Sequence, residues 1–240
     1  MTKPKPEIRG HHFKREDFLN GVLDELWRPH AEAGRIKMHS VAEREELKHR
    51  MLAVLAPDED VWVFGYGSLV WNPGFHFVES RVAHLHGWHR SFCFWSRMGR
   101  GSPERPGLMM GLMPGGTCRG IAYRIARSQA DTEVRALFMR EMMGTAYRTR
   151  WVNVTTEHEH GPVRAITFTA NKAHATFCGR LPIEETARYV ATGRGKIGCS
   201  RDYLDNTVRH LEALGIHDRG LKKLHALVEK IAAADKESSP

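Results

Sequence analysis

Residues 61–75 read Val-Trp-Val-Phe-Gly-Tyr-Gly-Ser-Leu-Val-Trp-Asn-Pro-Gly-Phe. The apolar run Val61, Trp62, Val63, Phe64 has the β-branched and aromatic composition of a buried strand. Gly65 and Gly67 end it, and Trp71-Asn72-Pro73-Gly74 adds a second turn. Glycine at 65 and 67 opens backbone angles closed to other residues and lets another group come close to the main chain. A strand that runs into such a small-residue loop presents backbone N–H groups suited to an anionic substrate group.

Outward from that stretch, short β-rich runs fall at 77–86, 91–95, 108–113, 119–126, 150–155 and 163–169, separated by Gly, Pro and Asn turns. A helix interrupts them. Ser128 and Asp131 have capping-box spacing, Val134, Leu137, Phe138 and Met142 form an apolar stripe, and Gly144 suits the stop. Helices are expected after the last strand over 182–191, from Ser200 to Gly215 and from beyond Asp218. Ahead of the strands, Phe18, Leu19, Val22, Leu23, Leu26 and Trp27 recur at helical spacing with Pro29 closing the segment, and a second helix runs from about Val41 to Leu55. This predicts an α+β protein built on a small mixed or antiparallel β-barrel with packed helices. Its organisation is an N-terminal helical extension over 1–59, with residues 1–15 as a loose arm, a main domain over 60–232 and a disordered tail over 233–240.

Two hundred and forty residues suffice for one domain with a sizeable core. No run approaches the roughly 20 apolar residues of a membrane span, and the charged N-terminal stretch lacks the apolar centre of a secretory signal. Cys93, Cys118, Cys178 and Cys199 are scattered with no CxxC, which fits a reduced, cytoplasmic setting. The net charge of +8 is spread along the chain and accompanies no nucleic-acid motif, so it favours a small anionic substrate over nucleic acid.

Other motifs lack their context. Gly193, Gly195 and Gly198 fit G-x-G-x-x-G, but a helix precedes them where a dinucleotide fingerprint needs a strand. Ser68 stands in Gly-Ser-Leu-Val, outside a G-x-S-x-G elbow. His84 and His86 share a strand face that His89 leaves, with no carboxylate nearby to complete a metal set. Glu141 remains, next to the apolar stripe of its helix. It reads either as a surface carboxylate paired with Arg140 or Arg148, or as a partly buried carboxyl whose raised pKa suits acid–base work.

Phe64–Phe75, the Gly/Pro-rich stretch from Arg97 to Gly107, Cys-Arg-Gly-Ile-Ala-Tyr at 118–123, Met-Arg-Glu-Met-Met-Gly-Thr-Ala-Tyr from Met139, and the ending from Gly198 to Leu224 occur in one order. Together they resemble the ChaC-like (cation-transport-regulator-like) family of γ-glutamylcyclotransferases over about 61–225. The resemblance implies a carbon–nitrogen lyase that cleaves the γ-glutamyl bond of glutathione to 5-oxoproline and cysteinylglycine, with no metal and no organic cofactor. It implies that Tyr66, Gly67, Ser68 and Leu69 hold the γ-glutamyl moiety, that Glu141 is the general acid/base, and that Tyr147 and Tyr203 line the pocket. Ser200 stands where many members have Asn. Arg97, Arg100 and Glu104 lie in a loop read either as mobile surface or as a lid whose arginines meet glutathione's glycine carboxylate. Two alternatives stay open: a cyclotransferase for other γ-glutamyl amines, and a non-catalytic γ-glutamyl-ligand binding or regulatory protein.

Overall fold

The structure, a computed structural model, describes residue 10, residues 12–156 and residues 161–237. Five strands close into a barrel: β1 (Val61–Gly65), β2 (Glu79–Ser96), β3 (Gly107–Ile125), β4 (Tyr147–Thr156) and β5 (Val163–Ala170), in the order β1-β3-β2-β4-β5. β1 pairs antiparallel with β3, and parallel with β5 through Trp62↔Ala165 and Val63↔Ile166, which closes the ring. The mixed barrel is the expected α+β architecture.

The seven β-rich runs become five strands. The runs at 77–86 and 91–95 are one strand, as are 108–113 and 119–126, and β2 and β3 pair along nearly their whole length. The register slips between His86 and Trp88, where Gly87, Gly115 and Gly116 all have positive φ. These glycines make a bulge within a long hairpin instead of a chain reversal.

The α-helices are α1 (Arg15–Leu19), α2 (Val22–Glu32), α3 (Val41–Leu52), α4 (Ala130–Glu141), α5 (Ile183–Thr192), α6 (Ser200–Ala213) and α7 (Arg219–Glu237). Buried Val134, Leu137 and Phe138 of α4 join the main core, with the Phe138 ring 5.9 Å from that of Phe168 on β5. α6 lies over the chain leaving β1, where Trp71 Nε1 donates to Thr207 Oγ1 at 3.2 Å. α7 runs to Glu237, into the stretch expected as a tail; residues 238–240 lie outside the described residues, as do residues 1–9 and 11 of the expected arm.

Three local expectations are corrected. Pro29 lies inside α2 instead of closing it: its own N–H bond is missing, but its carbonyl still accepts from Ala33 N at 3.2 Å and the helix runs on to Glu32. Ser128 and Asp131 do not cap α4: a 3-10 turn over Arg127–Gln129 precedes the helix, and Asp131 accepts from the buried Lys48 Nζ at 2.6 Å. Gly144 is not the stop either, since α4 ends at Glu141 and Gly144 bridges to Met38.

The extension docks on α4. Fully buried Arg44 donates to the Met139 carbonyl at 3.0 Å and pairs with Asp24, while Arg15 holds Glu133 through two bonds of 2.8 and 2.6 Å. Phe18, Leu23, Trp27 and Met139 form a second core here. At the start of α3, Ser40 Oγ accepts from Glu43 N at 3.2 Å, and Glu43 Oε2 accepts from Ser40 N at 2.7 Å. Losing such a cap costs about 1 kcal/mol. Ser40→Ala is therefore expected to lower the melting temperature by about 2–4 °C. An unchanged melting temperature in calorimetry would show that the cap does not hold α3.

Candidate active site

β1 delivers its C-terminal end to the point where α4 also ends. Gly65 is followed by Tyr66, Gly67 and a single 3-10 turn over Ser68–Val70. The Tyr66 ring is buried and its hydroxyl donates to the Phe168 carbonyl at 2.8 Å; Tyr123 Oη donates to the Leu69 carbonyl at 2.8 Å. These two phenols pin the turn from opposite sides. Gly67 has no space for a side chain, since a Cβ there would lie 2.6 Å from Tyr203 Oη and 3.7 Å from Met110 Sδ.

Glu141 is the last residue of α4, with its side chain 15 % exposed. Burial raises its pKa above the ordinary glutamate value, and the Arg140 guanidinium opposes that rise. The side chain is mostly buried, not on the surface, and it keeps the Arg140 pairing, with Arg140 Nε meeting Glu141 Oε1 at 2.9 Å. Burial pushes the Tyr66 and Tyr147 phenols well above their ordinary value, with Glu141's charge adding to the rise. Tyr203 is pushed up to about 12 by burial, with Glu141 also raising it and Arg100 opposing. The carboxyl thus shares one electrostatic environment with three phenols that stay protonated at physiological pH. Tyr147 Oη donates to the Met110 carbonyl at 2.7 Å, and the Tyr203 ring stands edge-on to Trp71 and Phe92 at 5.9 and 6.1 Å.

Arg140 ties these parts together. Its Nη2 donates to Ser68 Oγ at 2.8 Å, and its Nη1 donates to the carbonyls of Pro73, at 3.1 Å, and Asn72. One guanidinium therefore spans the glycine turn and the carboxyl. In sequence Arg140 reads only as a partner for Glu141; its reach to Ser68 depends on the barrel bringing the ends of β1 and α4 together.

The arginine-bearing loop divides. Arg100 is 8 % exposed and lies over the Tyr203 and Trp71 rings at 5.3 and 5.7 Å, inside the cluster. Arg97 is exposed and lies over Trp95 at 5.8 Å, apart from the phenols and Glu141. The base of the loop is packed: a Cβ at Gly101 would fall 2.1 Å from the Ser96 carbonyl oxygen, and one at Gly195 would fall 2.2 Å from that of Gly99. Besides Arg97, the tip around Pro103, Glu104 and Arg105 is exposed. Ser200 is fully buried, donates to the Arg100 carbonyl at 3.0 Å and accepts from Leu108 N at 3.3 Å, so it seats the loop.

An open cleft of about 510 Å³ lies elsewhere, lined by Asp60, Trp62, Glu79, Arg81 and Arg124 among others. Of its four carboxylates, Asp60 and Glu79 are already paired with Arg124 at 2.6 and 2.9 Å, and Asp58 and Glu59 lie beside them. The Glu141 cluster instead holds a desolvated carboxyl joined through Arg140 to the glycine turn. Burial raises all four thiols, Cys93 to about 12, so none is poised as a thiolate nucleophile.

The chain belongs to the ChaC-like protein family, whose model matches residues 61–231. It is 35 % identical over 203 residues to a glutathione-specific γ-glutamylcyclotransferase of Escherichia coli (strain K12), covering 83 % of this chain and 87 % of that one. A glutathione-specific γ-glutamylcyclotransferase 1 of Danio rerio is 31 % identical over 154 residues, with 63 % of this chain and 79 % of that one covered. The solved structure of a yeast γ-glutamyl cyclotransferase specific to glutathione superposes with a TM-score of 0.66 at 22 % identity, over 72 % of this chain and 97 % of that one, and shares its fold.

Proposed function

We propose that this protein cleaves the γ-glutamyl bond of glutathione by intramolecular cyclisation, releasing 5-oxoproline and cysteinylglycine. The observation that carries the reading is Glu141: a desolvated carboxyl joined through Arg140 to the turn that resembles the family's γ-glutamyl cradle.

The γ-glutamyl head sits against Tyr66, Gly67, Ser68 and Leu69, between Tyr147 and Tyr203. Its α-ammonium gives a proton to the Glu141 carboxylate, and the freed amine attacks the γ-carbonyl carbon to form the ring C–N bond. The same proton passes to the cysteinyl nitrogen and the old C–N bond breaks, while the ring nitrogen gives up its second proton to the freed amine, which leaves as an ammonium. Atoms balance without water or a cofactor. Holding nucleophile and electrophile in one folded conformer can lower such a barrier by as much as about 7–11 kcal/mol. Proton transfer by a placed side chain adds about 10²–10⁴-fold. A carboxyl with a raised pKa suits both steps, since an ordinary carboxylate is a weak base and its acid form is scarce near neutrality.

In this reading Arg100, packed over the Tyr203 ring, meets glutathione's glycine carboxylate, and Arg97 stands at the outer edge of the same loop. Charge-assisted bonds to a carboxylate are worth about 1.5–3 kcal/mol. Arg100→Met is expected to raise KM for glutathione roughly 10- to 100-fold while leaving KM for γ-glutamyl-p-nitroanilide, which has no second carboxylate, within about twofold. Equal losses on both substrates would remove Arg100 from that role. A panel of γ-glutamyl dipeptides against glutathione separates a glutathione enzyme from a cyclotransferase for other γ-glutamyl amines.

The setting we propose is the cytoplasm, which the four free cysteines support. Among the described residues no helix is long and apolar enough to cross a membrane.

A further inference from the structure

We propose that Arg140 is the positioning residue for both halves of the site, and that the N-terminal helix α1 holds it in place through Phe18, so that the segment ahead of the barrel is a working wall of the site. The inference rests on the assignment of Glu141 as the acid/base. Arg140 meets four partners from two segments: Glu141 Oε1 through Nε, Ser68 Oγ through Nη2, and the Asn72 and Pro73 carbonyls through Nη1. Its flat face is covered by the Phe18 ring, with the guanidinium carbon 5.3 Å from the ring centroid. Five donors in a fixed plane make this span possible, which a lysine's single nitrogen cannot copy.

Phe18 is itself fixed. It presses on Gly74, where a Cβ would lie 2.3 Å from its ring and where φ is +69°. Nearby, Asn72 Nδ2 donates to the Phe13 carbonyl at 2.9 Å, so the chain before α1 is tied to the same turn. On its other side α1 is tied to α4 by Arg15 and Glu133, and Glu133 Oε2 also accepts from His76 N at 2.8 Å. The extension thus grips both the helix that ends in Glu141 and the turn that follows Ser68.

Glu141 needs such a neighbour. It stands at the C-terminal end of a helix, where an anion meets the negative end of the helix dipole. The groups around it are Tyr66 after β1, Tyr147 on β4, Tyr203 on α6 and Arg140 on α4; Cys93 on β2 faces Tyr66 and Tyr147, and Arg100 faces Tyr203 and Arg140. His39, from the segment before α3, reaches the turn that follows Glu141, where its Nδ1 donates to the Met142 carbonyl at 2.9 Å.

The test uses the full chain with carboxyl-labelled glutamate and follows the Glu141 carbon by NMR across pH without substrate, the resonance being identified by its loss in Glu141→Gln. Arg140→Met is expected to move the Glu141 midpoint to higher pH, and Phe18→Leu to move it the same way by less. With glutathione, kcat is expected to fall about 10²-fold in Arg140→Met, the size of loss that follows a misplacement of about 1 Å, and several-fold in Phe18→Leu. The Phe18→Leu loss is expected to vanish in the Arg140→Met background, because both act through one contact. Arg140→Lys, which keeps the charge but cannot span the turn, is expected to hold the midpoint near wild type while kcat still falls about tenfold; it stands in if the Met variant melts. An unmoved midpoint in Arg140→Met, or Phe18 and Arg140 losses that multiply in full, would overturn the proposal. The NMR arm decides it even if glutathione proves not to be the substrate.

Discussion

Glu141→Gln is expected to lower 5-oxoproline release by about 10²–10⁴-fold, the usual worth of a placed acid–base group. The amide keeps the shape of the carboxyl and can still accept from Arg140 Nε, which lies 2.9 Å away in the native protein. Glutathione binding is therefore expected to persist. Stability moves the other way from activity. The folded-state pKa of Glu141 is raised, chiefly by burial. The stability such a group contributes is fully present below its unfolded pKa and is lost as pH rises through its folded value. Near neutrality the native chain thus carries a buried carboxylate that the amide does not. Glu141→Gln is expected to melt at or above the wild-type temperature at about pH 7, with the difference closing as the pH is lowered below the ordinary carboxylate range. An inactive variant that is equally or more stable separates chemistry from folding. Calorimetry and product release at matched pH check both halves, and a variant with near-normal turnover removes Glu141 from its role.

Gly67→Ala is expected to lower kcat/KM for glutathione by about 10²-fold, as a shift of about 1 Å in a positioning group does. A Cβ at 67 would sit 2.6 Å from Tyr203 Oη, so the phenol or the turn must move. Tyr203 has little freedom to do so, held between the Trp71 and Phe92 rings with Arg100 over its face. Tyr203→Phe in the same chain removes the clashing hydroxyl and is expected to restore part of any loss in melting temperature. Gly161→Ala, where a Cβ meets nothing within 4 Å, is the control and is expected to leave both quantities unchanged. Wild-type kcat/KM in Gly67→Ala would show that the turn does not carry the substrate.

Much of this arrangement is legible in the residues. The buried strand Val61–Phe64 and the helix ending near Glu141 follow from local apolar patterning, and the turn after Phe64 follows from its glycines. What the patterns miss is long-range. Gly115 and Gly116 mark a bulge or a reversal equally well until β2 and β3 are seen to pair across them. Asp131 fits a cap by spacing, yet it faces Lys48, 83 residues away. Glu141 presents two readings in sequence because spacing does not fix depth; the fold mostly buries the side chain and keeps its pairing with Arg140. Arg97 and Arg100 look alike in the chain; only the packing of Gly99 and Gly101 against the turn at Gly195 turns Arg100 inward over Tyr203 and leaves Arg97 on Trp95. Arg140 and Phe18 belong to segments about 120 residues apart, and no local spacing announces their contact.

The route by which glutathione opens is the heart of the mechanism, and oxygen-18 water reads it directly. Purified protein is incubated with glutathione in labelled water and the products are weighed by mass spectrometry. Attack by the substrate's own amine gives 5-oxoproline and cysteinylglycine in equal amounts, with no label in the ring carbonyl. Free glutamate carrying the label in its γ-carboxyl, or glutathione left intact, would contradict it.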